Sequence, residues 1–146
     1  MCLIIDKTIH TGKFGCMPKI AKNDILVYKC LDISTFSGRK IITPYKHYPI
    51  TFDENGIFTY PKVRLQKIAN TEITKGIHAY YNKVVADKEP WIGVIEIFYA
   101  IIPKGSRYFI GVAGDIVSNN MRIFKTNEVY NKYAETHKVK SLWHSL

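Results

Sequence analysis

The run WIGVIEIFYAII at 91–102 is the longest apolar stretch in the chain, and it constrains the fold more than any other feature. It falls short of the ~20 apolar residues that a bilayer-spanning helix needs, carries Glu96 in its middle and stops at Pro103. No other stretch is longer, so no membrane span is predicted. Its β-branched and aromatic content predicts a central strand, which must find a partner on each side.

The neighbours come from short apolar runs separated by turn residues. CLII at 2–5, ILVYKCL at 25–31 and IITPY at 41–45 read as strands, with Pro44 making the last an edge strand or marking its end. Residues 6–23 hold Gly12, Gly15, Pro18 and four lysines and read as a surface loop. ITF at 50–52 and IFTY at 57–60 flank Asp53-Glu54-Asn55-Gly56, and Asn-Gly between apolar runs predicts a β-hairpin. KGIHAYY at 75–81 alternates, with Ile77, Ala79 and Tyr81 on one side and His78 and Tyr80 on the other. One or two helical turns are expected at 82–89, before Pro90. PKGS at 103–106 turns the chain into RYFIGV, and Gly114-Asp115 leads into DIVS and then MRIFK at 121–125. After Thr126 the period changes: Tyr130, Tyr133, Ala134 and His137 follow at helical spacing, and Val139, Leu142, Trp143 and Leu146 extend an apolar stripe. The expected architecture is one α+β domain over 1–146, a mostly antiparallel or mixed sheet with a C-terminal helix.

At 146 residues and 47% hydrophobic content, such a domain buries enough surface to fold without a staple. The chain carries 21 Lys and Arg against 12 Asp and Glu, a net +9 spread almost evenly along its length with no basic tail. An even surplus favours a general attraction to polyanions: a nucleotide, a nucleic acid or an acidic protein surface. Three cysteines, Cys2, Cys16 and Cys30, cannot all pair with one another, and MCLIID is no secretion signal. Free thiols and a reducing, cytoplasmic compartment follow. No metal-ligand motif is present, and His10 with Cys16 is too sparse a pair to predict a metal site. No cofactor is expected.

Three side chains are candidates for catalysis. Cys2 becomes an N-terminal nucleophile if Met1 is removed, although Leu3-Ile4-Ile5 follow where such amidotransferases usually carry glycine. His78, in a strand-like segment, is a candidate general base or anion donor, and Tyr80 and Tyr81 beside it offer flat surfaces for stacking. Asp115 enters a late strand where it is able to meet His78. PKGSR at 103–107 offers Lys104, Arg107 and the N–H groups of a Gly-Ser turn to a phosphate, without any Walker, GxGxxG or GxSxG pattern. Aromatic and basic residues mix in FTYPKVRLQK at 58–67 and RIFK at 122–125, as nucleic-acid surfaces do, but no RRM or zinc-finger signature accompanies them.

The ordered set MCLIID, ILVYK, TPY, KGIHAY, IIPKGSRYFIG and DIVSNNMRIF resembles a group of small uncharacterised proteins of bacteriophages and mobile elements of gut Bacteroidetes. The resemblance spans most of the chain and implies a phage-type accessory protein, with no activity to carry over. A looser similarity is to the ADP-ribosyltransferase fold, which implies functional places at Tyr28-Lys29, His78-Ala79-Tyr80 and Asp115. Lys29 stands where that fold has Arg or His, and Asp115 where it has glutamate, so a ligand-binding version is implied rather than an active transferase. The expectation is a non-catalytic accessory protein binding an anionic partner, with a role in host-defence interference. An NAD-consuming enzyme and a structural virion component, contacting other subunits through the C-terminal helix, are the alternatives.

Overall fold

The computed structural model describes residues 3–12, 15–33, 41–43, 48–68, 71–90 and 93–142. Cys2, the 34–40 turn, Pro44, Tyr45, Trp143 and Leu146 lie outside them. The fold is a single small α+β domain of mostly antiparallel strands with two helices.

The strands in chain order are β1 (Leu3–Ile4), β2 (Lys19–Ile20), β3 (Asp24–Asp32), β4 (Ile41–Ile42), β5 (Pro49–Ile50), β6 (Ile57–Thr59), β7 (Gln66–Ile68), β8 (Glu72–Lys75) and β9 (Ile77–Tyr80). Helix α1 (Lys83–Lys88) precedes β10 (Ile95–Ile102), β11 (Arg107–Ile110), β12 (Asp115–Ser118) and β13 (Arg122–Phe124). Helix α2 (Asn127–Thr136) and β14 (Val139–Ser141) follow. The large sheet runs β2-β11-β12-β9-β3-β10-β13-β6, with β14 and β4 also on β3, and β5 on β4. A second sheet, β1-β8-β7, joins it at an Ile5–Gly111 bridge.

From Ile95 onward the apolar run does become a central strand: β10 lies between β3 and β13 and pairs with β3 from Ile95↔Asp32 to Ile102↔Ile25. The other edge of β3 is divided among three partners. Strand β14 runs parallel to it at Asp24–Leu26, β9 meets it at Tyr28↔Tyr80, and β4 meets it at Asp32↔Ile42. Between Tyr28 and Asp32 that edge has no ladder partner among the described residues.

Alternation along β3 and β9 sends side chains to two cores. Ile25, Val27, Leu31, Ile77 and Ala79 enter the main core with Ile102, Ile116 and Ile123. Tyr28, Cys30 and Tyr80 enter a smaller core under Ala86 of α1. Leu3, Ile5, Ile73, Phe109 and Val117 fill the space between the two sheets. At Gly76 the chain passes from β8 into β9, and a Cβ there would collide with Val117 and Leu65, so only glycine permits this approach.

Two expected elements differ. Asp53–Gly56 does turn the chain, closed by Gly56 N–H to the Asp53 carbonyl and Asp53 N–H to the Ile57 carbonyl, with Gly56 at φ 75°. No hairpin results, because β5 pairs with β4 while β6 pairs with β13. Tertiary pairing wins over the local turn: Ile50 is set against Ile41, and Phe58 against Ile123. Nor does the apolar stripe after His137 continue a helix. Helix α2, capped by Thr126 accepting from Val129 N–H at 3.2 Å, ends at Thr136, and Val139 enters a strand instead. β-Branched Val139 suits that extended backbone, and the open edge of β3 supplies its hydrogen bonds.

Helix α2 turns its tyrosines toward the sheet: Tyr130 meets Tyr99 and Phe124 edge-on, and the Tyr133 hydroxyl donates to Asp24 Oδ2 at 2.6 Å. No described helix is long and apolar enough to cross a membrane.

Candidate functional site

Where β9 leaves β3 after Tyr28↔Tyr80, the two strands bound a cavity of about 360 Å³. Lys29, Thr43, Tyr48 and Tyr60 line one side, and the stretch from Thr74 to Tyr80 lines the other. Leu3, Ile73 and Val117 contribute apolar wall from the inter-sheet core. The opening lies along the shared β3 edge, where among the described residues neither β9 nor β4 pairs with residues 29–31.

Lys29 occupies that gap. Its parity on β3 directs it to the main-core face, where it is only 8% exposed, and its Nζ donates to the His78 carbonyl. That bond replaces the ladder hydrogen bond the diverging strands do not make. The ammonium also lies 5.8 Å from the centroid of the Tyr60 ring, a cation–π contact. No described carboxylate lies within ion-pair distance of it. Burial therefore pulls its pKa down from 10.5 to about 8.

Tyr60, 8% exposed, stacks on Tyr48 at 5.7 Å and meets Phe58 edge-on at 5.0 Å. Its buried hydroxyl has no hydrogen-bond partner. Burial raises its pKa, so the hydroxyl stays protonated and remains a donor. Tyr48 is more exposed and forms the outer side of the stack.

His78 and Asp115 do come together, on adjacent strands β9 and β12, with Nε2 3.4 Å from Asp115 Oδ2. The side chains are 20% and 12% exposed, and Asp115 Oδ1 is buried without a partner. A Cβ at residue 111 would strike the Asp115 carboxylate, so Gly111 makes room for it. The His78 ring also meets Tyr80 edge-on at 5.1 Å. This pair, however, lies on the α1 face of the sheet, whereas Lys29 leaves β3 on the main-core face. The three places expected from the fold similarity fall on neighbouring strands, yet their side chains do not converge: Lys29 reaches His78 only at its carbonyl.

The remaining candidates are scattered. Tyr80 lines the cavity but is nearly buried against α1, and Tyr81 packs against the main core. Lys104 and Arg107 are exposed and line no part of the cavity. The turn N–H groups expected to receive a phosphate are spent internally. Lys104 N–H donates to Asp24 Oδ1, Gly105 N–H to the Ala21 carbonyl, Ser106 N–H to the Pro103 carbonyl and Arg107 N–H to Asn119 Oδ1. No cluster of metal-ligating side chains occurs among the described residues.

His10 has a structural role instead. It is 2% exposed, and its Nε2 accepts from Ile110 N–H at 2.7 Å, so Nδ1 carries the proton and donates to the Met17 carbonyl at 2.9 Å. Desolvation chiefly lowers its pKa below 6.5. Sequence reasoning missed Tyr60 and Thr43 as wall residues; the aromatic-basic mixture at 58–67 was the available signal, but it pointed to an outer surface.

No family model matches this chain, and no curated protein or solved structure matches it.

Proposed function

We propose that the protein is a non-catalytic, phage-type accessory protein that binds a small anionic ligand in the cavity between β3 and β9. One observation carries this reading: a buried lysine with no carboxylate partner, facing an apolar cavity. Holding an ammonium ion there lowers stability, since the fold favours its neutral form. An anion in the cavity supplies the missing counter-charge. A half-open cavity of about 360 Å³ suits a small molecule and not a duplex, so the diffuse charge of the exterior serves attraction and Lys29 serves recognition.

Calorimetric titration with AMP, a short single-stranded DNA and small organic carboxylates, at low and high salt, tests the reading. At least one small anion is expected to bind, with Lys29→Met weakening it about tenfold or more and exposed Lys132→Ala leaving it unchanged. Absence of binding by every anion, or equal binding by Lys29→Met, overturns it.

The approach of His78 to Asp115 favours a second reading, an NAD-consuming transferase. Incubation with NAD separates the two: nicotinamide release by the wild type that is lost in Asp115→Ala would replace the binder with an enzyme, and no release is expected.

A further inference from the structure

We infer that the ligand of the β3–β9 cavity is an organic monocarboxylate with an apolar body, its carboxylate received by Lys29 and Tyr60. This rests on the anion-binding reading above and assigns its ligand class. The polar groups come first. An ammonium has three N–H donors, and Lys29 spends one on the His78 carbonyl. Tyr60, on the same cavity wall, has a buried hydroxyl with no partner. A carboxylate brings two oxygens that accept from both residues, which satisfies the orphaned hydroxyl and pairs the unpaired charge.

Charge then limits the head group. Lys29 is the only lysine or arginine buried among the described residues, and Lys75 on the opposite wall is exposed. One buried positive charge neutralises one negative charge. A phosphate dianion would bring a second into a mostly apolar, half-open cavity, where a charge without a partner is costly. The rest of the wall fixes the body. Leu3, Val63, Ile73, Ile77, Ala79 and Val117 offer no further charge, and a hydrocarbon chain or ring gains by leaving water against them. The cavity volume lies at the small end of the range for ligand pockets, about 300–1,000 Å³, enough for a medium-chain or aryl-alkyl acid.

Binding also couples to protonation. The bound carboxylate holds Lys29 in its charged form, while the empty cavity releases that proton near pH 8. Affinity is therefore flat from about pH 6 to 7, falls as pH rises past 8, and falls in acid only where the ligand's own carboxylate is protonated, at about pH 5 and below.

The test holds the eight-carbon body constant and varies the head: octanoate, octan-1-ol and octyl phosphate, with AMP as a polar anion, titrated calorimetrically at pH 7 and pH 9.5. Octanoate is expected to bind at least tenfold more tightly than octanol or octyl phosphate, and to weaken about tenfold from pH 7 to 9.5. Lys29→Met is expected to remove the preference for octanoate over octanol, and Tyr60→Phe to reduce it several-fold. Circular dichroism checks that both variants fold, and Lys29→Arg, which keeps the charge, is expected to retain part of the preference. Equal binding of octanoate and octanol overturns the inference, as does a preference for octyl phosphate. Binding of AMP without octanoate overturns the ligand class while leaving the anion-binding reading standing; failure of every anion removes both.

Discussion

His10 and Lys29 are both basic, both withdrawn from water, and differ in how their nitrogens are satisfied. The imidazole of His10 spends one nitrogen on Ile110 N–H and the other on the Met17 carbonyl, and Phe109 covers its ring at 5.0 Å. Nothing is left for a ligand. The ammonium of Lys29 has one backbone acceptor, a ring face and a cavity. The first arrangement pins the 6–18 loop onto β11; the second leaves chemical capacity in a place where capacity destabilises. A completed set of partners marks a structural residue, and an incomplete set beside a void is the feature on which the proposed binding role of Lys29 rests.

Removing each side chain is the most direct way to break that contrast, because the two substitutions are expected to have opposite signs. His10→Ala strands a buried amide and a buried carbonyl and opens a cavity, for a loss of about 3 kcal/mol in chemical denaturation. Lys29→Met removes a charge the fold disfavours, at the cost of one hydrogen bond to the His78 carbonyl, for a gain of about 1–2 kcal/mol at pH 7. A destabilised Lys29→Met, or an indifferent His10→Ala, would erase the distinction.

The smallest effect, and the sharpest in sign, is the pH dependence. His10 has a lowered pKa in the fold, so its contribution is complete above 6.5 and is lost as pH falls through that value, where the unfolded chain takes up the proton first. Stability is expected to drop between pH 7.5 and 5.5, less steeply in His10→Gln. Lys29 acts in the alkaline range. The unfolded chain keeps its proton up to 10.5 while the fold releases it near 8, so stability rises with pH between those values. The advantage of Lys29→Met over wild type should accordingly shrink from pH 7 to pH 10, as read from denaturation midpoints.

The strands were legible where local pattern and burial agree. Residues 25–31, 77–80, 95–102 and 115–118 are apolar on at least one face, and each is a strand of the large sheet. Pairing was not legible. Asp53–Gly56 has the chemistry of a hairpin turn, but whether the runs beside it pair is decided by β4 and β13, which the turn cannot sense. Likewise Val139 reads as one more apolar position after a helix until the free edge of β3 is in view. Of the candidate site, the nearness of His78 and Asp115 follows once β9 and β12 are neighbours. The opposite orientation of Lys29 is readable from parity on β3, but its significance is not, because the cavity exists only through the divided pairing of one strand edge.

That division also sets an order of events during synthesis. Residues 24–26 leave the ribosome more than a hundred residues before their parallel neighbour, residues 139–141, is made. Throughout that interval the nascent polypeptide shows a bare β-edge beside strongly apolar side chains, the kind of surface that recruits another chain. Loss of β14 by stalling or proteolysis is expected to make that exposure lasting, since the β3 edge at Asp24–Leu26 would then lack its parallel neighbour.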